Sequence, residues 1–200
     1  SVAGLKTVAA NLSMSADAVA SAVQGVTTGA TSGLKAASIN ANDLAAAASN
    51  IAGESVKALG TAGFASSTVS AAAGAVAAGA IAGLTNSGIS AADLASNGVL
   101  KEVVKSTVSN LGKTALESSA ISSTVGLVVG NAVAGLSGAN SADTSTKQSL
   151  VADVVKGAVS GVSGADASDT NTAATTLNSI TQSATSSLVK AGFTAADVAS

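Results

Sequence analysis

The chain has 200 residues and a formal net charge of −2, with 47% apolar, 10% charged and 1% aromatic residues and no His, Cys, Pro, Trp or Tyr. Without Cys or His there is no thiol nucleophile, zinc-thiolate or His-ligated centre and no Ser-His-Asp triad; with every basic residue a Lys, two aromatics and a pI of 4.8, the usual carriers of nucleic-acid recognition are missing too. A mean hydropathy of +0.51 argues against disorder, and the lack of Pro, where average usage predicts about ten, fits a chain that is ordered nearly throughout, since Pro breaks helix interiors and central strands alike.

In chain order, residues 1–12 have the pattern of the back half of a helix, with Leu5-Lys6 near its end and the sequon Asn11-Leu12-Ser13 after it. Met14-Ser15-Ala16-Asp17 then opens a motif that recurs as Ile39-Asn40-Ala41-Asn42-Asp43, Ile89-Ser90-Ala91-Ala92-Asp93 and Phe193-Thr194-Ala195-Ala196-Asp197, with a looser copy at Phe64-Ala65-Ser66-Ser67. Its first positions, 14, 39, 64 and 89, are evenly spaced. The physics is that of a helix start. Ser15, Asn40, Ser90 and Thr194 are predicted N-caps. Asp43, Asp93 and Asp197 fall at the third helical position, as in a capping box with Asp in place of Glu, and the apolar residue before the cap is the staple. In the first copy Asp17 falls one residue early. The acids also complement the positive end of the helix dipole, so capping, not catalysis or cation binding, is the expected role.

Apolar-Lys pairs recur at Leu34-Lys35, Val56-Lys57, Val104-Lys105, Val155-Lys156 and Val189-Lys190, and are expected to mark last helical turns. From Ala58 to Ala92 there is no charge, and the segment carries Gly74, Gly79 and Gly83. A second neutral run, Ser118 to Ala142, carries Gly126 and Gly130, and it matches the first at a constant offset: Ser66–Val69 with Ser122–Val125, Gly74 with Gly130. These glycines are predicted sites of close helix packing. Both runs are long enough to cross a bilayer, but they are made of Ala, Gly and Ser and lack an aromatic belt, which favours two deeply buried helices.

Leu100, Val103, Val104, Val108 and Leu111 form one helical stripe; Leu150, Val151, Val154, Val155, Ala158 and Val162 form another, and Leu177, Ile180, Ala184 and Leu188 a third. Between the first two lies a half-copy of the start motif, Ala139-Asn140-Ser141-Ala142-Asp143. The loop Gly164–Thr172 resembles a calcium loop only in composition, because Asn171 and Leu177 stand where an EF-hand needs Gly and Glu.

The expected fold is therefore all-α: a bundle or solenoid-like array of seven or eight Ala/Gly/Ser-rich helices, each about 12–20 residues and antiparallel to the next, with a repeat of about 25 residues. A Gly-rich β-solenoid is the rival architecture, disfavoured by the Ala content and the caps. Residues 1–200 are expected to be a single helical domain, one unit or segment of a larger tandem array, since 194–200 followed by 1–12 spells one capped helix. The expected function is a non-enzymatic structural or assembly module of a fibre, surface layer, adhesin stalk or silk-like material, extracellular or at the cell surface. It needs no cofactor or metal, and its partners are copies of itself or neighbouring repeats, not nucleic acid. The alternative is a membrane- or lipid-associated helical protein using the neutral segments 58–92 and 118–142. Ice binding is weaker still, for want of regular Thr spacing.

Overall fold

The computed structural model describes residues 4, 7–9, 14–36, 40–165, 170–194 and 197. Among them there are no strands. Among the described residues, 4 and 7–9 are helical, and eight α-helices with defined bounds follow: α1 (Ala16–Ala36), α2 (Ala41–Thr61), α3 (Ser66–Asn86), α4 (Ala91–Ser96), α5 (Val99–Ser109), α6 (Ser118–Ala134), α7 (Thr144–Val162) and α8 (Thr170–Ser187). Short 3-10 turns extend α5, α6 and α7. The chain is all-α, an array of helices packed on one another.

The starts are built as capping predicts. The Asp43 N–H donates to Asn40 Oδ1 (3.0 Å) while Asn40 Nδ2 donates to the Asp43 carboxylate (2.6 Å). The Ser90 hydroxyl does both at once, accepting from the Asp93 N–H (3.0 Å) and donating to its carboxylate (2.6 Å). Ser15 Oγ accepts from the Ala18 N–H at 3.2 Å. The half-copy at 139–143 is shifted: helix α7 begins at Thr144, and its N-cap is Asp143 itself, which accepts from the Thr146 N–H at 2.8 Å. Ala65, in the looser copy, caps α3 without a side-chain hydrogen bond.

The stop signals differ from expectation. Val56-Lys57, Val104-Lys105 and Val155-Lys156 lie inside α2, α5 and α7, not in last turns. Lys57 and Lys105 pair instead with Glu54 (3.1 Å) and Glu102 (3.4 Å) three residues earlier on exposed faces. Leu34-Lys35 does end α1, whereas Leu5-Lys6, the sequon and residues 166–169 of the candidate calcium loop lie outside the described residues. The observed stop is backbone glycine. At the end of α8, Gly192 has φ +78° and the Phe193 N–H reaches the Leu188 carbonyl at 3.0 Å, a Schellman closure. Gly98, at φ +59°, separates the six-residue α4 from the eleven-residue α5.

The helices form two layers. In the first, α1, α3, α6 and α8 start at residues 16, 66, 118 and 170, steps of 50, 52 and 52. In the second lie α2, then α4 with α5, then α7, starting at 41, 91 and 144. Within a layer neighbours run parallel, because contacts keep nearly the same offset along their length: Ser70 meets Thr124 and Thr85 meets Gly135, separations of 54 and 50 residues. Between layers the direction reverses. A 21-residue helix is about 31 Å long, and the four residues between α1 and α2 span at most about 14 Å, so the chain cannot return to the helix's starting end. The structural unit is thus a helical hairpin of about 50 residues, twice the sequence period, stacked by translation. One contiguous core runs between the layers from Ala9 to Phe193 and includes the fully buried Leu59, Ile81, Leu84, Leu100, Leu136 and Leu150.

Candidate helix-packing site

The residues that set the helix spacing are glycines, and each faces a parallel neighbour. A methyl group placed on Gly79 of α3 would lie 2.6 Å from the Gln24 carbonyl of α1. One on Gly83 would collide with the Thr31 hydroxyl and lie 2.6 Å from the Thr28 carbonyl. On the other flank of α3, Gly74 abuts the Asn131 side chain of α6. Gly126 and Gly130 of α6 face Ser183 and Ser187 of α8, each at 3.0 Å. The five glycines singled out by spacing therefore serve three successive interfaces of the first layer.

Four further glycines do the same: Gly135 is marked in the sequence by standing 56 residues after Gly79, as Gly130 stands after Gly74, and the other three are not singled out by the pattern. Gly53 of α2 faces Ser106 and Asn110 of α5; Gly157 and Gly161 of α7 sit on the Lys101 and Lys105 carbonyls of α5; Gly135 lies 2.9 Å from the Ala78 carbonyl. The four-residue step from Gly157 to Gly161 is visible in the sequence, but it stands in a segment whose Val and Leu stripe dominates the pattern.

Across these glycines stand hydroxyls. Ser32 Oγ donates to the Gly83 carbonyl (3.2 Å) and Ser109 Oγ to the Gly161 carbonyl (3.3 Å). Ser122 Oγ and Thr176 Oγ1 share a hydrogen bond at 2.8 Å between α6 and α8. The buried Thr27, Thr107 and Thr124 turn back on the carbonyl four residues earlier, at 2.7–2.8 Å, which satisfies polar groups that would otherwise be costly to bury.

Charge is segregated. α3, α6 and α8 contain no charged residue, whereas the second layer carries Glu54, Lys57, Lys101, Glu102, Lys105, Asp153 and Lys156. Burial pushes the Asp153 carboxyl up, opposed by the positive charges of Lys156 and Lys101, and its buried Oδ2 has no hydrogen-bond partner. Because the outward residues of α3 are alanines, its surface is recessed. A groove of about 450 Å³ runs over Ala71, Ala75, Ala78 and Ala82, with Gln24 and Asn131 on its walls.

The last predicted cap carries the one buried ion pair among the described residues. The Thr194 N–H and hydroxyl both donate to Asp197 Oδ2, each at 2.8 Å. Asp197, only 5% exposed, also receives Thr144 Oγ1 (3.1 Å) and Lys147 Nζ (3.3 Å), and Lys147 lies 5.6 Å from the Phe193 ring centroid. The Thr194 N–H, then its hydroxyl, hold the Asp197 carboxyl down at about 2, with Lys147 and Thr144 adding to them against burial. At Asp143 the Ser145 hydroxyl and the Thr146 N–H do likewise, again to about 2. Both folded values lie below the ordinary 3.8. The stability these groups contribute is therefore present above about pH 4 and is lost as pH falls from about 4 to about 2. Asp197→Asn is expected to lower the melting temperature at pH 7 and to melt with the parent at pH 2. Thermal melts across that range check it, and an equal gap at both pH values contradicts it.

Among the described residues no three acidic side chains gather as a metal site. No protein-family model matches the chain, and no curated protein matches it. What the geometry offers is a set of repeated packing surfaces.

Proposed function

We propose that the chain is a non-enzymatic structural module that self-associates through the packing of helices with small side chains, as a component of a fibre, surface layer or similar assembly. The observation that carries this proposal is the translational stack: each helix meets the one a hairpin further on in the same direction and nearly the same register. Such an arrangement buries each unit's flank on the next unit and does not close on itself. Glycine facing hydroxyl or backbone recurs at every interface described above, which is the chemistry of a repeated contact and not of a reaction centre.

Electron microscopy of the purified chain at rising concentration tests the proposal. Ordered filaments or stacked oligomers are expected, and monomers persisting at high concentration count against it. One observation favours a second role, association with lipid. Ser66–Asn86 and Ser118–Ala139, both uncharged and both in the first layer, are long and apolar enough to cross a membrane, with a mean hydropathy of 1.5. Against insertion, 78% and 61% of an 18-residue span within these two stretches are buried inside the protein. Flotation with liposomes separates the two: a chain left at the bottom of the gradient supports the assembly role alone.

A further inference from the structure

We propose that a second copy of this chain lays its α8 along the open flank of α1, parallel to it and in the register used inside the stack. The contact presupposes the assembly role proposed above and names the surfaces that perform it. Among the described residues, five parallel interfaces have glycines on at least one side: α1 with α3, α3 with α6, α6 with α8, α2 with α5, and α5 with α7. Helix α1 carries one more set, Gly25, Gly29 and Gly33. It lies on the flank that α3 leaves uncovered, and a methyl group placed on any of the three would meet nothing within 4 Å. Beside these glycines Val26 is 47% exposed, large for an apolar residue in this chain.

The second observation comes from the opposite end of the layer. The flank of α8 turned away from α6 is also bare, and it is complementary. It presents Leu177, 47% exposed, with the exposed Thr181 and Thr185 along the same side. Helix α8 contains no glycine, but none is needed, since α6 and α8 already pack with glycine on one side and hydroxyls on the other. Continuing the step that separates α6 from α8 into the α1 of a second copy sets Leu177 beside Val26 and the Thr181 and Thr185 hydroxyls near Gly29 and Gly33. Two half-exposed apolar side chains are covered, and among the described residues neither flank brings a charged side chain to be desolvated. The contact joins different surfaces of the two copies, so it propagates as an open filament.

The chain has no cysteine, which makes the contact directly testable. The double variant Val26→Cys, Leu177→Cys, oxidised at a concentration where the parent associates, is expected to give a ladder of covalent multimers on a denaturing gel. The two single variants, mixed, should stop at dimers. Gly29→Leu should weaken association at least tenfold while the melting temperature of the monomer stays level or rises, because its side chain has open space within the monomer. Filaments in the microscope with no ladder, and with Gly29→Leu indifferent, overturn this contact but leave assembly standing. Monomers at every concentration overturn both and give the flank of α1 to something other than a second copy.

Discussion

Ile81→Ala is expected to destabilise the fold by about 2–5 kcal/mol, the range for deleting a large buried aliphatic side chain. In a chain of this size that corresponds to a fall in melting temperature of roughly 4–20 °C. Ile81 is fully buried on α3 and packs against the turn at Gly135, where an added methyl group would lie 3.3 Å from its Cβ and Cγ2. The upper half of the range is expected for a reason particular to this protein. Most of the residues around Ile81 on α3, namely Ala77, Ala78, Ala80 and Gly83, have no rotamers with which to collapse into a cavity, which leaves only Leu84 and Thr85 on that helix to adjust. Leu127→Ala on the neighbouring α6 is the control: it is 47% exposed, so most of its truncation removes surface already in water. Calorimetry of both variants decides the matter, and an Ile81→Ala loss below about 1 kcal/mol would mean the helices close over the gap.

Gly79→Leu is expected to cost about 1–3 kcal/mol net. Replacing a mid-helix glycine should by itself stabilise by up to about 1 kcal/mol, and the obstacle must outweigh that. It does so because the obstruction is backbone. An added Cβ stands 2.6 Å from the Gln24 carbonyl and 3.2 Å from the Gln24 Cα, so α1 has to move as a body. Gly29→Leu is the matched comparison, with the same exchange in a neighbouring helix and nothing within 4 Å. Denaturant unfolding of the pair should give opposite signs. If both variants are equally stable, α1 and α3 do not approach as closely as the structure has them.

The contrast between these two glycines shows what is legible in the sequence. Gly79 and Gly29 each belong to a set of small residues on one helical face, and only the longer uncharged run around Gly79 sets it apart. Which one is pressed against a neighbour depends on the order in which helices stack. The caps at Asn40 and Ser90 are legible because the whole interaction lies within four residues. The repeat pattern puts the cap of α7 three residues early, since Asn140 and Asp143 are both competent caps and only the turn ahead of the helix, where Asn140 faces Gly192, selects between them. The lysines read as stop signals because a Lys after an apolar residue suits a last turn. It suits equally a mid-helix surface beside an acid three residues earlier, as at Glu54 and Lys57.

The ion pair of Lys147 with Asp197 joins residues 50 positions apart, and no local pattern announces it. Besides the even spacing of the start motifs, the constant offset between the two neutral runs, Gly74 to Gly130, is a long-range signal in the sequence, and it is close to the separation of helices that lie side by side in the first layer.

By itself the sequence determined the helices, most of their starts, and a surface chemistry of small and hydroxylated side chains. These follow from propensity, capping and periodicity, which act over a few residues. Only the tertiary structure decided that two helices make one unit, that units stack in parallel, and which glycines are buried and which lie open. Those outcomes turn on how backbones a whole hairpin apart in the chain approach one another, and alanine and glycine, lacking distinctive shape, carry almost no sequence record of their partners.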